Sequence, residues 1–275
     1  MHSSTKTTLV LLPGLLCRPS LFAAIVPALS SSGRTILCPP FPANATMVEC
    51  ARMVLNSMPN TTDRFALAGL SAGGYMALAI AALAPERIAG LGLLHTQARA
   101  DSPEISARRA VQAAKASSDG LTDIVSTQAS MLLAPRSLPL DVKTAINSID
   151  DKTYDMPTSF RIFARDALLT GAHAFVSQQA AITSRIDKRE TISKLRVPVC
   201  IVTGEFDGVT PPAIAREMHA LATAAPFRSL TIIPDCGHLS PLEDPDALLN
   251  ALIPWLHAID AAAEAHNPAA IRSLA

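Results

Sequence analysis

Phe65-Ala66-Leu67-Ala68-Gly69-Leu70-Ser71-Ala72-Gly73-Gly74-Tyr75-Met76-Ala77-Leu78-Ala79 is the stretch that decides the fold. Its opening residues are an apolar run of strand length, and its closing residues are small and suited to a helix packed close against a sheet. Between them, Gly69-Leu70-Ser71-Ala72-Gly73 fits the pattern G-x-S-x-G. The setting carries more weight than the string. A strand, a sharp turn and a helix together hold a serine on a strained corner with its hydroxyl presented outward. The residues two positions to either side then need to be almost free of side chain, and both are glycine. The helix that starts after Ser71 also aims its positive end at the corner. Ser71 is therefore the candidate nucleophile.

Working outward, short apolar runs alternate with helix-length segments, the pattern of a parallel sheet covered on both faces. The expected strands are Thr8–Leu12, Thr35–Cys38, Arg64–Ala68, Ile88–Leu94, Val199–Thr203 and Ser229–Ile233. The expected helices are Ser20–Leu29, Met47–Met58, Ala72–Ala84, Pro212–Ala222 and Pro245–Ala262, each with apolar residues three and four apart. From Leu94 to Val197 the strand rhythm stops, and successive helices follow, broken at Gly120, at Pro135 to Pro139 and at Gly171. The expected organisation is an α/β core from 1–98 and 190–265, a helical cap inserted at 99–189, and a fraying tail at 266–275.

A serine hydroxyl is a poor nucleophile at neutral pH and needs a base, itself oriented by a carboxylate. Two loops that follow expected strands supply candidates. Gly204-Glu205-Phe206-Asp207-Gly208 follows the fifth strand, and Pro234-Asp235-Cys236-Gly237-His238 follows the sixth. Ser71, Asp207 and His238 would thus share the C-terminal edge of one parallel sheet, where such sheets place their sites. Asp207 is favoured as the acid over Glu205, which reads as shaping the turn, and over Asp235, which reads as bonding its own loop. His95, at the end of the fourth strand, reads as a polar residue of the pocket or of its surroundings.

Acyl transfer also needs backbone N–H groups where negative charge develops. Ala72, after the nucleophile, should supply one. Leu15 should supply the other, on the loop Leu12-Pro13-Gly14-Leu15-Leu16-Cys17, where Gly14 permits close approach. Expected pocket residues are Gly14, Leu16, His95 and Leu239, with apolar walls from the inserted helices at Met131, Leu132, Leu133, Phe160, Phe163 and Phe175.

Composition narrows the partners. Lysine plus arginine and aspartate plus glutamate number 23 each in 275 residues, and aromatic residues are 4%. Neither a basic field nor a stacking surface suggests nucleic acid. No apolar run is long enough for a membrane span, and the N-terminus lacks the marks of a signal peptide. Five cysteines, an odd number without CxxC spacing, read as reduced thiols of a cytoplasmic protein. Cys17 and Cys236 fall near the expected site, which suggests thiol sensitivity. No histidine–carboxylate spacing suggests a metal, and oligomeric state is not legible.

Leu12-Pro13-Gly14-Leu15-Leu16, Gly69-Leu70-Ser71-Ala72-Gly73-Gly74, the turn from Gly204 through Asp207 to Thr210-Pro211-Pro212, and Gly237-His238 together resemble the α/β-hydrolase superfamily over nearly the whole chain. The chain looks like its compact bacterial members, among them carboxylesterases, enol-lactonases, cofactor-free haloperoxidases and carbon–carbon bond hydrolases. Thr96-Gln97-Ala98-Arg99-Ala100-Asp101-Ser102-Pro103-Glu104, at the start of the cap, looks like that group too. The resemblance implies a two-step mechanism through an acyl-enzyme, no cofactor, and a small-molecule ester or lactone as substrate; a lactonase, carbon–carbon bond hydrolase or perhydrolase on the same triad, or a ligand-binding receptor-like member with little turnover, are the alternatives. Two departures matter. Pro13-Gly14 stands where the family usually has His-Gly, which keeps the backbone donor but removes a side chain that often orders the loop. Ala72 stands where many haloperoxidases and carbon–carbon hydrolases carry Met, which leans toward an ester or lactone. The short stretch before Thr8 implies a sheet without its usual opening hairpin.

Overall fold

A computed structural model describes residues 6–42, 46–59 and 62–265. The tail expected at 266–275 lies outside them. Six strands form one sheet: β1 (Leu9–Leu12), β2 (Ile36–Leu37), β3 (Phe65–Leu70), β4 (Ile88–Leu94), β5 (Val199–Gly204) and β6 (Arg228–Ile233). Their spatial order is β2-β1-β3-β4-β5-β6, and every neighbouring pair is parallel. No hairpin precedes β1 among the described residues.

The strands read as continuous apolar runs because both of their faces are covered. Along β1, Leu9 and Leu11 pack on one side while Val10 and Leu12 pack on the other. Helices α2 (Met47–Ser57) and α3 (Ala72–Leu83) cover the second side, with α8 (Arg189–Lys194) and α9 (Pro212–Leu221). The first side is closed by α1 (Val26–Ser30), by α10 (Ser240–Glu243) and by α11 (Pro245–Ala265), whose Trp255 is fully buried. A capping box at Thr46 and Glu49 starts α2, each side chain bonding the other's backbone N–H.

One expected helix divides. Ser20–Leu29 forms a 3₁₀ turn at Pro19–Phe22 and then the short α1. Pro27 accounts for the split, because its ring would clash with the carbonyl four residues earlier in a continuous helix.

Between β4 and β5 the chain is helical: α4 (Pro103–Asp119), α5 (Thr122–Leu132), α6 (Val142–Asn147) and α7 (Thr158–Thr183), followed by α8. Gly120 ends α4 with φ 78°, a short 3₁₀ turn spans Pro135–Ser137, and Gly171 interrupts α7 with φ 79°. All three breaks match the punctuation in the sequence. Because every strand runs the same way, the loops after β1, β3, β4, β5 and β6 emerge along one edge.

Candidate active site

Ser71 occupies the corner between β3 and α3 with φ 55° and ψ −117°, a conformation that L residues rarely adopt. The surroundings enforce it. Ser71 N–H donates to Leu94 O at 2.8 Å, and Ser71 O accepts from Thr96 Oγ1 at 2.8 Å and from Gly74 N at 2.9 Å. The glycines are obligatory: a Cβ on Gly69 would stand 2.2 Å from Gly73 O, and one on Gly73 would stand 2.2 Å from Leu12 O. The loop after β1 presses on the same corner, with the Cβ position of Gly14 only 3.2 Å from Ser71 Cβ.

Across this edge, Asp207 and His238 form the heart of a buried polar network. His238 Nδ1 lies 2.8 Å from both carboxylate oxygens of Asp207. Oδ1 also accepts from the amides of Val209 (3.0 Å) and Thr210 (2.8 Å), and Oδ2 accepts from Thr210 Oγ1 (2.9 Å). Burial pushes the Asp207 carboxyl upward, but the two histidines outweigh it and hold the group well below the usual carboxylate range. An ionised carboxylate only accepts, so the His238 proton belongs on Nδ1 and Nε2 carries a free lone pair. Nε2 is buried and has no hydrogen-bond partner among the described residues. Ser71 and His238 line one cavity of about 220 Å³, although no hydrogen bond joins them.

His95 is not in that cavity. It is fully buried behind Asp207, where Nδ1 lies 3.0 Å from Oδ2 and Nε2 lies 2.8 Å from Ser240 Oγ. Burial lowers its pKa, more than Asp207 raises it, so the ring is neutral, donating from Nδ1 and accepting the Ser240 hydroxyl proton. The pairing of Leu94 with Val202 delivers it there, with His95 N–H on Val202 O at 2.7 Å. His95, Asp207 and His238 are also the one set among the described residues whose ligand atoms could gather round a metal ion. Those atoms are already engaged with one another.

The remaining expected residues divide. Gly14, Leu15, Ala72, Leu239, Met131 and Leu132 line the cavity. Leu16, Leu133, Phe160, Phe163 and Phe175 do not. Leu16, with φ 61°, is buried, and the three phenylalanines pack with Leu133 in the core between the helical insertion and the sheet. Large apolar surfaces are best satisfied in that interior, and α4 supplies the wall instead through Ile105, Arg108, Arg109 and Gln112. Of the competing acids, Glu205 accepts the amide of Asp235 at 3.1 Å and so ties two loops together.

Two supports were not visible in the sequence. Gln178 of α7 accepts the Leu16 amide at 3.1 Å, ordering the loop that lacks the family's histidine. Glu243 accepts the amides of Gly237 (3.1 Å) and Leu239 (3.2 Å), clasping the loop on either side of His238. Neither residue belongs to a motif: Gln178 is found only through a contact 162 residues away, and Glu243 through amides of the loop just before its own short helix.

The alpha/beta hydrolase family profile matches residues 9–251. Among solved structures, an esterase from the thermophile Thermogutta terrifontis is 25% identical, with a TM-score of 0.77 over 94% of this chain and 92% of that one. The enol-lactonase from Burkholderia xenovorans is 23% identical, with a TM-score of 0.74 over 94% of each chain. Comparison with curated proteins finds no match.

Proposed function

The chain belongs to the alpha/beta hydrolase family, and from that premise we propose that it cleaves carboxylic esters through an acyl-enzyme on Ser71. The observation that carries the reading is the unpartnered Nε2 of His238, whose Nδ1 is held by Asp207, on a residue that lines one cavity with Ser71. As Ser71 Oγ attacks the ester carbonyl, its proton passes to Nε2, and the same proton then goes to the departing alcohol. Water reverses the sequence: it gives a proton to Nε2, its oxygen attacks the acyl carbon, and the acid leaves as Ser71 regains its hydrogen. Asp207 stays ionised throughout and stabilises the imidazolium.

The carbonyl oxygen becomes an oxyanion, received by the backbone N–H groups of Ala72 and Leu15. Ala72 is the first residue of α3, so its amide has no acceptor within the helix. The helices from α4 to α7 act as a cap, with the acyl pocket beneath α4 and α5. The cavity volume suits small to medium acyl groups. Five free cysteines favour a reducing, cytoplasmic setting, and no helix among the described residues is long and apolar enough to cross a membrane.

A lactonase reading shares every residue above, and the solved enol-lactonase has the same fold. Steady-state rates on acetyl to octanoyl 4-nitrophenyl esters and on five- and six-membered lactones separate the two. The ester reading predicts saturable turnover of the shorter acyl chains, abolished in Ser71→Ala. Turnover of lactones alone, or rates untouched by Ser71→Ala, would contradict it.

A further inference from the structure

The cavity over Ser71 has one charged wall. Ile105, Arg108, Arg109 and Gln112 reach it from a single face of α4, at the three- and four-residue spacing that places side chains side by side. Among the described residues, two arginines line the cavity and no carboxylate does. Asp166 of α7, which approaches Cys17, is engaged by Ser20 and is not part of the lining.

Arg109 is held in place before any ligand arrives. Its Nε donates to Asp101 Oδ2 at 2.7 Å, and its Nη1 donates to Gln179 Oε1 at 2.9 Å. Gln179 is buried and in turn donates to Gln112 Oε1 at 3.0 Å, which fixes Gln112 as well. Asp101 does not neutralise the wall, because Arg185 Nη2 claims its other oxygen at 2.6 Å. One carboxylate shared by two guanidinium groups leaves a net charge of +1, and Arg108 adds another without a carboxylate partner among the described residues. Among the described residues, no protein group accepts from Arg109 Nη2 or from the Gln112 amide nitrogen. A fixed, incompletely neutralised guanidinium beside an apolar floor costs little to reorganise and favours a planar anion.

We infer that the preferred substrate is an ester or lactone that also carries a free carboxylate, received by Arg109 and Arg108 while Ser71 attacks the ester carbonyl. This rests on the ester reading above and goes beyond it by naming the substrate class. Two matched pairs test it. Mono(4-nitrophenyl) glutarate against 4-nitrophenyl valerate places the carboxylate on the acyl side, and 4-acetoxybenzoate against phenyl acetate places it on the alcohol side.

The expected result is a kcat/KM ratio of at least about tenfold in favour of the anion in one pair, carried mainly by KM and falling as salt is raised. Arg109→Gln and Arg108→Gln should each bring that ratio toward one, whereas Lys194→Gln, at an exposed position of α8, should leave it unmoved. Arg108 is exposed and has no carboxylate partner among the described residues, so its variant tests the idea even if Arg109→Gln folds poorly. Neutral esters turned over with no anion preference, or a preference that survives both arginine variants, would overturn the inference while sparing the ester reading. No turnover of any of the four would overturn both.

Discussion

Two carboxylates, Asp101 and Asp207, each sit between two nitrogen-bearing partners, and their contrast separates a clasp from the acid of the proposed triad. In both, burial pushes the carboxyl upward and the partners more than reverse it. Asp101 is gripped by Arg185 and Arg109, whose charges are permanent. Asp207 is gripped by His238 and His95, whose two ring nitrogens can each either donate or accept. A carboxylate between guanidinium groups holds geometry; the same carboxylate between imidazoles sets which nitrogen is basic.

The largest effects should come from breaking that asymmetry. Asp207→Asn presents an amide that can donate to Nδ1, so the imidazole flips tautomer and kcat should fall by about 10⁴ while the fold persists. Asp101→Asn should do the opposite, leaving the chemistry largely intact but costing about 3 kcal/mol of stability, because Arg185 is left buried without its carboxylate. Measuring kcat and the urea midpoint on both variants checks the pair. Equal losses in both quantities would erase the distinction.

A smaller effect concerns His95. His95→Leu removes a donor to Asp207 and should lower kcat by about tenfold, the worth of one charge-assisted hydrogen bond. His95→Asn, whose amide can occupy the Nδ1 position, should recover most of it. The pH dependence separates the two carboxylates from the histidine. His95 binds its proton less readily folded than unfolded, so its contribution is present above the unfolded value of about 6.5 and is lost as pH falls below it. The Asp101 and Asp207 contributions are present above the unfolded value of about 3.9 and disappear as pH falls through their lower folded values. The stability profile of His95→Leu should therefore be flatter as pH falls below about 6.5, and that of Asp101→Asn flatter below about pH 4.

The smallest expected effect is on the thiols. Burial, aided by Asp166, pushes Cys17 up to about 12, and burial raises Cys236 still further. Thiolate is the reactive form. Iodoacetamide at pH 7.5 should leave activity essentially unchanged over an hour, which reverses the thiol sensitivity suggested by their positions in the sequence.

The six strands and the three loops bearing Ser71, Asp207 and His238 were legible because each depends on local pattern: apolar runs, paired glycines and turn residues immediately after a strand. What escaped depends on register or on interior packing. His95 could be placed at a strand end, but only the pairing of β4 with β5 puts it behind Asp207 rather than in the cavity. Phe160 and Phe163 carry the same apolar signal whether they line a pocket or fill a core, and hydrophobicity alone does not separate the two. Arg109 was missed because its role comes from Asp101 and Gln179, eight and seventy residues away.

The central claim is that Ser71 is an activated nucleophile, and intact-mass analysis after treatment with a small fluorophosphonate tests it most directly. The account predicts one adduct on the wild type, none on Ser71→Ala, and slowed labelling of Asp207→Asn but not of Asp101→Asn. A folded wild type that takes no adduct, or an adduct that persists on Ser71→Ala, would contradict it.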